Sequence, residues 1–130
     1  MRIVPALAIS LVAFSSAAFA DAHILSSVPA DAKTVTSLYK QNVYDPSNTK
    51  IGDVADVLIG KDGKVLALVI GVGGFLGIQE KDVLVPMDEV HSNIQDGNVR
   101  LSMDTNKDAL KAAPGFTYNR DTMTWTQAKS

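Results

Sequence analysis

The chain has 130 residues, no cysteine and a formal net charge of -2, with 46% apolar and 20% charged residues. This composition is that of an ordinary globular domain and excludes wholesale disorder. The missing cysteine excludes disulfides, cysteine-ligated zinc, iron–sulfur clusters and thiol catalysis. A mild acidic balance without a basic block argues against nucleic acid as a partner.

The first twenty residues have the pattern of a signal peptide. Arg2 supplies a positive charge, residues 3–14 are mostly apolar, and Ala18 and Ala20 form the small-residue pattern that a signal peptidase requires. We therefore expect cleavage after Ala20, export to the periplasm and no transmembrane segment in the mature chain. An uncleaved anchor is the alternative, although the apolar run is short for a membrane span.

The rest of the chain is predicted to be rich in β-structure. Residues 21–37 are expected to form a loose leader, and short apolar runs separated by turn signals begin at Leu38. Frequent valine and aspartate favour strands and turns over helices. Asp62-Gly63 and Asp96-Gly97 predict tight hairpin turns, and the continuous apolar run 65–72 predicts a strand buried on both faces. In chain order the predicted strands are 42–44, 50–59, 65–72, 82–86, 91–94 and 99–103.

One short helix is predicted after the last of these strands. Thr105 is the expected N-cap, with Asp108 three residues later in a variant of the capping box, and Pro114 ends the helix. The tail that follows carries three aromatic residues that we expect to fold back on the domain, namely Phe116, Tyr118 and Trp125. Short strands at this spacing predict a small barrel or sandwich.

Several segments resemble the PRC-barrel family, and the resemblance covers about residues 38–103. The most specific part is the glycine-rich stretch followed by Glu80-Lys81-Asp82-Val83. The resemblance implies a mainly β domain, with a small, strongly bent sheet that closes into a partial barrel. It also implies a non-catalytic module that binds or assembles with other proteins, and it transfers no catalytic residue. The matching segments are 43–45, 50–59, 62–65, 69–78 and 80–86, and the predicted organisation is a signal peptide (1–20), a leader (21–37), the barrel domain (38–103) and a short helix with a tail (104–130).

The glycine-rich segment does not have the spacing of a nucleotide-binding loop. Leu76 stands where the third glycine of G-x-G-x-x-G would be, and no Walker pattern occurs in the chain. The glycines are interpreted either as a chain reversal between two strands or as an exposed apolar tip that binds a partner protein. The residues of this predicted tip are Gly73, Gly74, Phe75, Leu76 and Gly77.

The acidic residues show no spacing typical of a catalytic carboxylate pair, and no G-x-S-x-G pattern is present. We therefore expect a binding protein of the cell envelope rather than an enzyme, with no resident cofactor. The alternative function is metal binding at the mature amino terminus. After cleavage, the amine of Asp21, two backbone amides and the imidazole of His23 could surround Cu(II) or Ni(II) in a square plane, because neither Ala22 nor His23 is proline.

Overall fold

The structure is a computed structural model, and it describes residues 22–73 and 80–128. The chain divides into two units, Met1–Ala32 and Lys33–Ser130. In the first unit, residues 22–32 are all exposed and form no helix or strand. All the regular structure described below therefore belongs to the second unit.

The second unit is built on one eight-stranded sheet with the order β5-β6-β1-β2-β3-β4-β7-β8. Neighbouring strands are antiparallel, except that β1 and β6 run parallel. One α-helix, α1, joins β6 to β7, and two short 3-10 helices precede β1 and β5. The strands are β1 (Asn42–Tyr44), β2 (Lys50–Ile59), β3 (Val65–Val72), β4 (Lys81–Pro86), β5 (His91–Gln95), β6 (Asn98–Ser102), β7 (Phe116–Asn119) and β8 (Thr124–Gln127), and the helices are Val35–Ser37, Met87–Glu89 and α1 (Lys107–Ala112).

The predicted fold class is confirmed, because the protein is mainly β with one short helix. The sheet is open: within residues 22–73 and 80–128, its edge strands β5 and β8 pair with no further strand. The register of β2 against β3 shifts between Val54 and Asp56 and again between Leu58 and Ile59. Such irregularities bend a strand and increase its twist. The predicted signal peptide lies outside the described residues.

The first four predicted strands are observed within one residue of their expected bounds. The Asp96-Gly97 turn is also observed, because both residues have positive φ (52° and 78°) and Gln95 pairs with Asn98 across it. These are the features of a type I′ hairpin. Strands β7 and β8 were not predicted, because their sequence indicates only a tail with aromatic residues.

Two local predictions are wrong. The side chain that caps α1 is Asn106, which accepts a hydrogen bond from the backbone N–H of Ala109 at 2.8 Å. Asn106 is one residue beyond the expected cap, Thr105, and its backbone is extended, as the N-cap position requires. Strand β3 is buried from Leu68 to Val72, whereas Leu66 is 59% exposed, so burial on both faces is limited to the second part of the strand.

The hydrophobic core combines side chains from five strands with others from α1 and the connecting segments. Alternate residues of the sheet point toward this core, as the period of two in a β-strand requires. Leu110 brings α1 onto the same cluster, and Ala113 then becomes extended before Pro114, which ends the helix as predicted. The core residues are Leu38, Val43, Ile51, Val54, Leu68, Ile70, Val72, Val83, Val85, Val90, Leu101, Met103 and Leu110.

Among the described residues, no helix has the length and apolar character needed to cross a membrane.

Candidate functional site

The hairpin formed by β7 and β8 folds over one face of the sheet. Strand β7 pairs with β4 at one position, Asp82 opposite Phe116. The indole Nε1 of Trp125 in β8 donates a hydrogen bond to Asp56 Oδ2 in β2 at 2.8 Å. Four strand spacings separate β2 from β8 in the sheet order, so a flat sheet would hold them about 19 Å apart. The sheet must therefore curl until β8, the last strand in the order, lies over β2.

This curl forms a groove, here called the hairpin groove, between the hairpin and strands β2 to β4. Its volume is about 470 Å³. The side chains along it are unusually apolar for exposed positions: Ile59 and Leu66 are each 59% exposed, and Met123 is 76% exposed. Contiguous apolar surface of this kind is characteristic of binding sites. The lining residues are Asp56, Val57, Leu58, Ile59, Leu66, Leu84, Tyr118, Met123, Thr124 and Trp125.

The carboxylate in the lining of the hairpin groove is already bonded to the protein itself. Asp56 Oδ1 accepts from the backbone N–H of Val57 at 2.8 Å, and Oδ2 accepts from Trp125. Trp125 also packs against Tyr118 across the hairpin, with the ring centroids 5.5 Å apart and the planes tilted by 56°. Asp56 therefore holds the hairpin in place, and the remaining groove surface is chiefly apolar.

Strand β4 runs beside the hairpin groove, and part of its outer edge is unpaired in the described structure. Its pairing with β3 continues from Lys81 to Pro86, whereas its described pairing with β7 is limited to Asp82. Leu84, in the unpaired part, lines the hairpin groove. An unpaired strand edge presents backbone donors and acceptors to which an extended peptide can bind as an additional strand.

A second feature is a cluster of three carboxylates near the end of β3. Asp53 in β2 and Asp82 in β4 both pair with Gly71 in β3, and Gly71 has no side chain to separate them from Glu80. A Cβ at Gly71 would lie within 3.0 Å of Asp53 Oδ1 and would overlap the Glu80 carboxylate. The spacing of these acids in the sequence indicates no pair, because they come together only in the folded sheet.

Two carboxylates of this cluster, Glu80 and Asp82, have a raised pKa. Partial burial, followed by the charges of Asp53 and Asp82 and a hydrogen bond with Asp53, raises the pKa of Glu80 above its ordinary value, and Lys50 opposes this. Burial, and then the charge of Asp53, raises the pKa of Asp82. Among residues 22–73 and 80–128, no group of three or more metal-ligating side chains has an arrangement suited to a metal ion.

The structure describes only part of the two predicted sites. Gly73 follows β3 with a φ of 77°, a conformation that favours glycine, and the Lys111 side chain lies against it. The other residues of the predicted tip lie outside the described residues: Gly74, Phe75, Leu76 and Gly77. At the amino terminus, Ala22 and His23 are exposed, and Asp21 lies outside the described residues. Both sites remain predictions.

Comparison with known proteins agrees with this architecture. The family model of the PRC-barrel domain matches residues 30–110, which is more than half of the chain. The chain therefore belongs to the PRC-barrel domain family, as its resemblance implied. A comparison with curated proteins gives no match. The hairpin that forms the groove lies beyond the matched residues, so the family match does not extend to four of the ten residues that line the groove.

Proposed function

We propose that the protein is a non-enzymatic binding module of the cell envelope, and that its hairpin groove binds an extended apolar segment of a partner protein. The observation that carries this proposal is the concentration of exposed apolar side chains in one place. Ile59, Leu66, Tyr118 and Met123 are four of the ten large apolar residues that are exposed in the described structure, and all four line this groove. Exposed apolar surface costs free energy in water unless a partner covers it.

An extended segment fits this surface better than a small molecule or a helix would. The unpaired part of the β4 edge offers backbone hydrogen bonds to a strand-like peptide, and the apolar lining accepts alternate side chains of such a peptide. The Asp56 carboxylate is held by Val57 and Trp125, which favours a binding role over general acid–base chemistry in this groove. The periplasm is the proposed location because residues 1–20 have the pattern of a cleaved signal peptide.

The test is site-specific photo-crosslinking in the periplasm from position 66, followed by mass spectrometry of the cross-linked peptide. Position 94 is the matched control, because Ile94 is 79% exposed on the edge strand β5, well away from the groove residues in the strand order. A supporting result is an extended apolar segment attached at position 66 and absent at position 94. The same experiment reads the mature amino terminus and so tests the export and cleavage after Ala20.

A binding measurement must follow the crosslinking. The synthetic form of the captured segment should bind Ile59→Ser at least about tenfold more weakly than the wild type, the loss expected when an apolar side chain no longer contributes about 1.5 kcal/mol. Ile94→Ser should bind it normally. Equal labelling at both positions, or full affinity in Ile59→Ser, would show that the groove is not the binding surface. In that case Phe75→Ser and Leu76→Ser test the predicted tip instead.

The second proposed function is Cu(II) or Ni(II) binding by Asp21-Ala22-His23 after cleavage. It is supported by the exposure of Ala22 and His23, which leaves the backbone and the imidazole accessible to a metal ion. Copper titration of the mature protein should give one equivalent bound in a square-planar complex. The His23→Ala variant and a form with one extra amino-terminal residue should lose it, and unchanged titrations in both would refute this function.

A further inference from the structure

A small polar pocket lies where the β5–β6 hairpin meets β1, on a part of the sheet separate from the hairpin groove. The parallel pairing of β1 with β6 brings Tyr44 beside Ser102, close to the side chain of Arg100. The pocket has a volume of about 260 Å³. Its polar lining consists mainly of amide side chains around one guanidinium and one carboxylate, from Gln41, Asn42, Gln95, Asn98, Arg100 and Asp96.

The guanidinium of Arg100 is held in a defined position. Its Cζ lies 3.7 Å from the centroid of the Tyr44 ring, so the two planar groups are in contact, and one Nη donates a hydrogen bond to Asn48 Oδ1. Asn48 is itself fixed in a turn with a φ of 70°, where its backbone N–H donates to the carbonyl of Asp45 at 3.0 Å. An arginine held in this way loses little further conformational entropy when it binds a ligand.

The charge of Arg100 is not neutralised within the described structure. In residues 22–73 and 80–128, no carboxylate oxygen lies within 4.0 Å of its guanidinium nitrogens. The bond to Asn48 is its one hydrogen bond there, which leaves four of the five guanidinium N–H donors for a ligand. A planar, positioned guanidinium with free donors is the group that proteins use for two-point recognition of a carboxylate.

We propose that this pocket binds a small polar monocarboxylate, such as a hydroxy acid, with its carboxylate on Arg100. The surrounding amides of Asn42, Gln95 and Asn98 then bond the hydroxyl of the ligand, because each amide offers both donors and an acceptor. Asp96 contributes a negative charge to the same lining, which disfavours a multiply charged anion such as phosphate.

The test is an NMR titration of the purified protein labelled with ¹⁵N, at constant ionic strength adjusted with chloride. The probes are acetate, glycolate and inorganic phosphate, and the signals followed are Arg100 Nε–Hε and the side-chain amide of Asn98. Glycolate should give a saturable shift at both, with tighter binding than acetate, because its hydroxyl adds a hydrogen bond to the amides. Phosphate should bind more weakly than glycolate.

Three variants separate the pocket from general surface charge. Arg100→Gln should weaken glycolate binding about tenfold or more, the loss expected when a hydrogen bond to a charged group is removed. Arg120→Gln is the matched control, because Arg120 is an exposed arginine in the turn between β7 and β8 and should not affect binding. Asn48→Gly keeps the charge of Arg100 and tolerates the positive φ, so it should weaken binding only by releasing the guanidinium.

Several results would overturn the proposal. They are the absence of a saturable shift at Arg100 with either carboxylate, tighter binding of phosphate than of glycolate, and equal weakening by Arg100→Gln and Arg120→Gln. If Arg100→Gln does not fold, as judged from the dispersion of its spectrum, Asn48→Gly decides the question, and unchanged glycolate affinity in that variant refutes the proposal.

Discussion

The hydrogen bond between Trp125 and Asp56 is predicted to hold the β7–β8 hairpin over the sheet. It joins residues 69 positions apart in the chain, and the hairpin has only one described residue pair with β4. Trp125→Phe keeps an aromatic ring against Tyr118 and removes the indole N–H. Asp56→Asn keeps an acceptor for the backbone of Val57 and removes the negative charge. The two changes therefore act on the same bond from opposite ends.

The size of the effect follows from the charge and exposure of the two groups. A hydrogen bond to a charged acceptor contributes about 1.5–3 kcal/mol when both groups are buried. Trp125 and Asp56 are only half-buried, so water screens the bond and we expect about 1 kcal/mol from it. Trp125→Phe should cost about 1–2 kcal/mol in the free energy of unfolding, because it also removes part of a large apolar surface.

The measurement is a double-mutant cycle by chemical denaturation, with Asp56→Asn, Trp125→Phe and the double variant, followed by far-ultraviolet circular dichroism. Circular dichroism is needed because Trp125 is the only tryptophan, and its replacement removes the fluorescence signal. In the wild type and in Asp56→Asn, that single tryptophan reports the hairpin directly, and Asp56→Asn should shift its emission to longer wavelength as water reaches the ring.

A coupling energy near zero would refute this reasoning. It would show that the two side chains contribute independently and that the hairpin is held by other contacts. Unchanged tryptophan emission in Asp56→Asn would lead to the same conclusion, since the ring would then keep its position without the bond.

Three further predictions concern the sheet, the acidic cluster and the groove. Gly52→Ala should destabilise the fold by about 1–3 kcal/mol in chemical denaturation, because the added Cβ would lie 2.6 Å from the backbone carbonyl oxygen of Gly71 and neither strand can move freely. Glu80→Gln should raise the melting temperature at pH 7 and leave it unchanged at pH 3. Burial and the neighbouring carboxylates raise the folded-state pKa of Glu80 above its ordinary value of 4.5. The stability contributed by protonated Glu80 is therefore fully present below pH 4.5 and is lost as the pH rises through the folded-state pKa. Ile59→Ser should lower the fluorescence of a bound hydrophobic dye. Ile94→Ser, on the edge strand β5 away from the groove, should leave most of the dye fluorescence unchanged.

Each of these predictions has a clear contrary result. A neutral effect of Gly52→Ala would mean that β2 and β3 are farther apart than described. A lower melting temperature for Glu80→Gln at pH 7 would mean that the charged form of Glu80 stabilises the fold, with Lys50 outweighing burial and the acidic neighbours. Equal dye binding by Ile59→Ser and Ile94→Ser would remove the evidence for a distinct apolar groove.

Local features of the sequence were sufficient for most of the strands and for the helix. Strand β3 was predicted at its observed bounds because a continuous apolar run of eight residues, half of them β-branched, between turn signals has few other stable conformations. The Asp96-Gly97 turn was predicted because positive φ at two successive residues is accessible to few sequences. Pro114 fixed the end of α1 for an equally local reason, since proline excludes the helical conformation from the residue before it.

The open sheet, the hairpin groove and the acidic cluster were decided only by the tertiary structure. Residues 116–119 and 124–127 comprise five polar and three aromatic residues, and they form strands because β4 offers an edge at Asp82 and Asp56 offers a partner for Trp125. Asp53 and Asp82 converge because β2 and β4 both pair with Gly71, and the Glu80 side chain lies against the same glycine. In each case the deciding contact joins residues far apart in the chain, and a sequence pattern records only the neighbours of each residue.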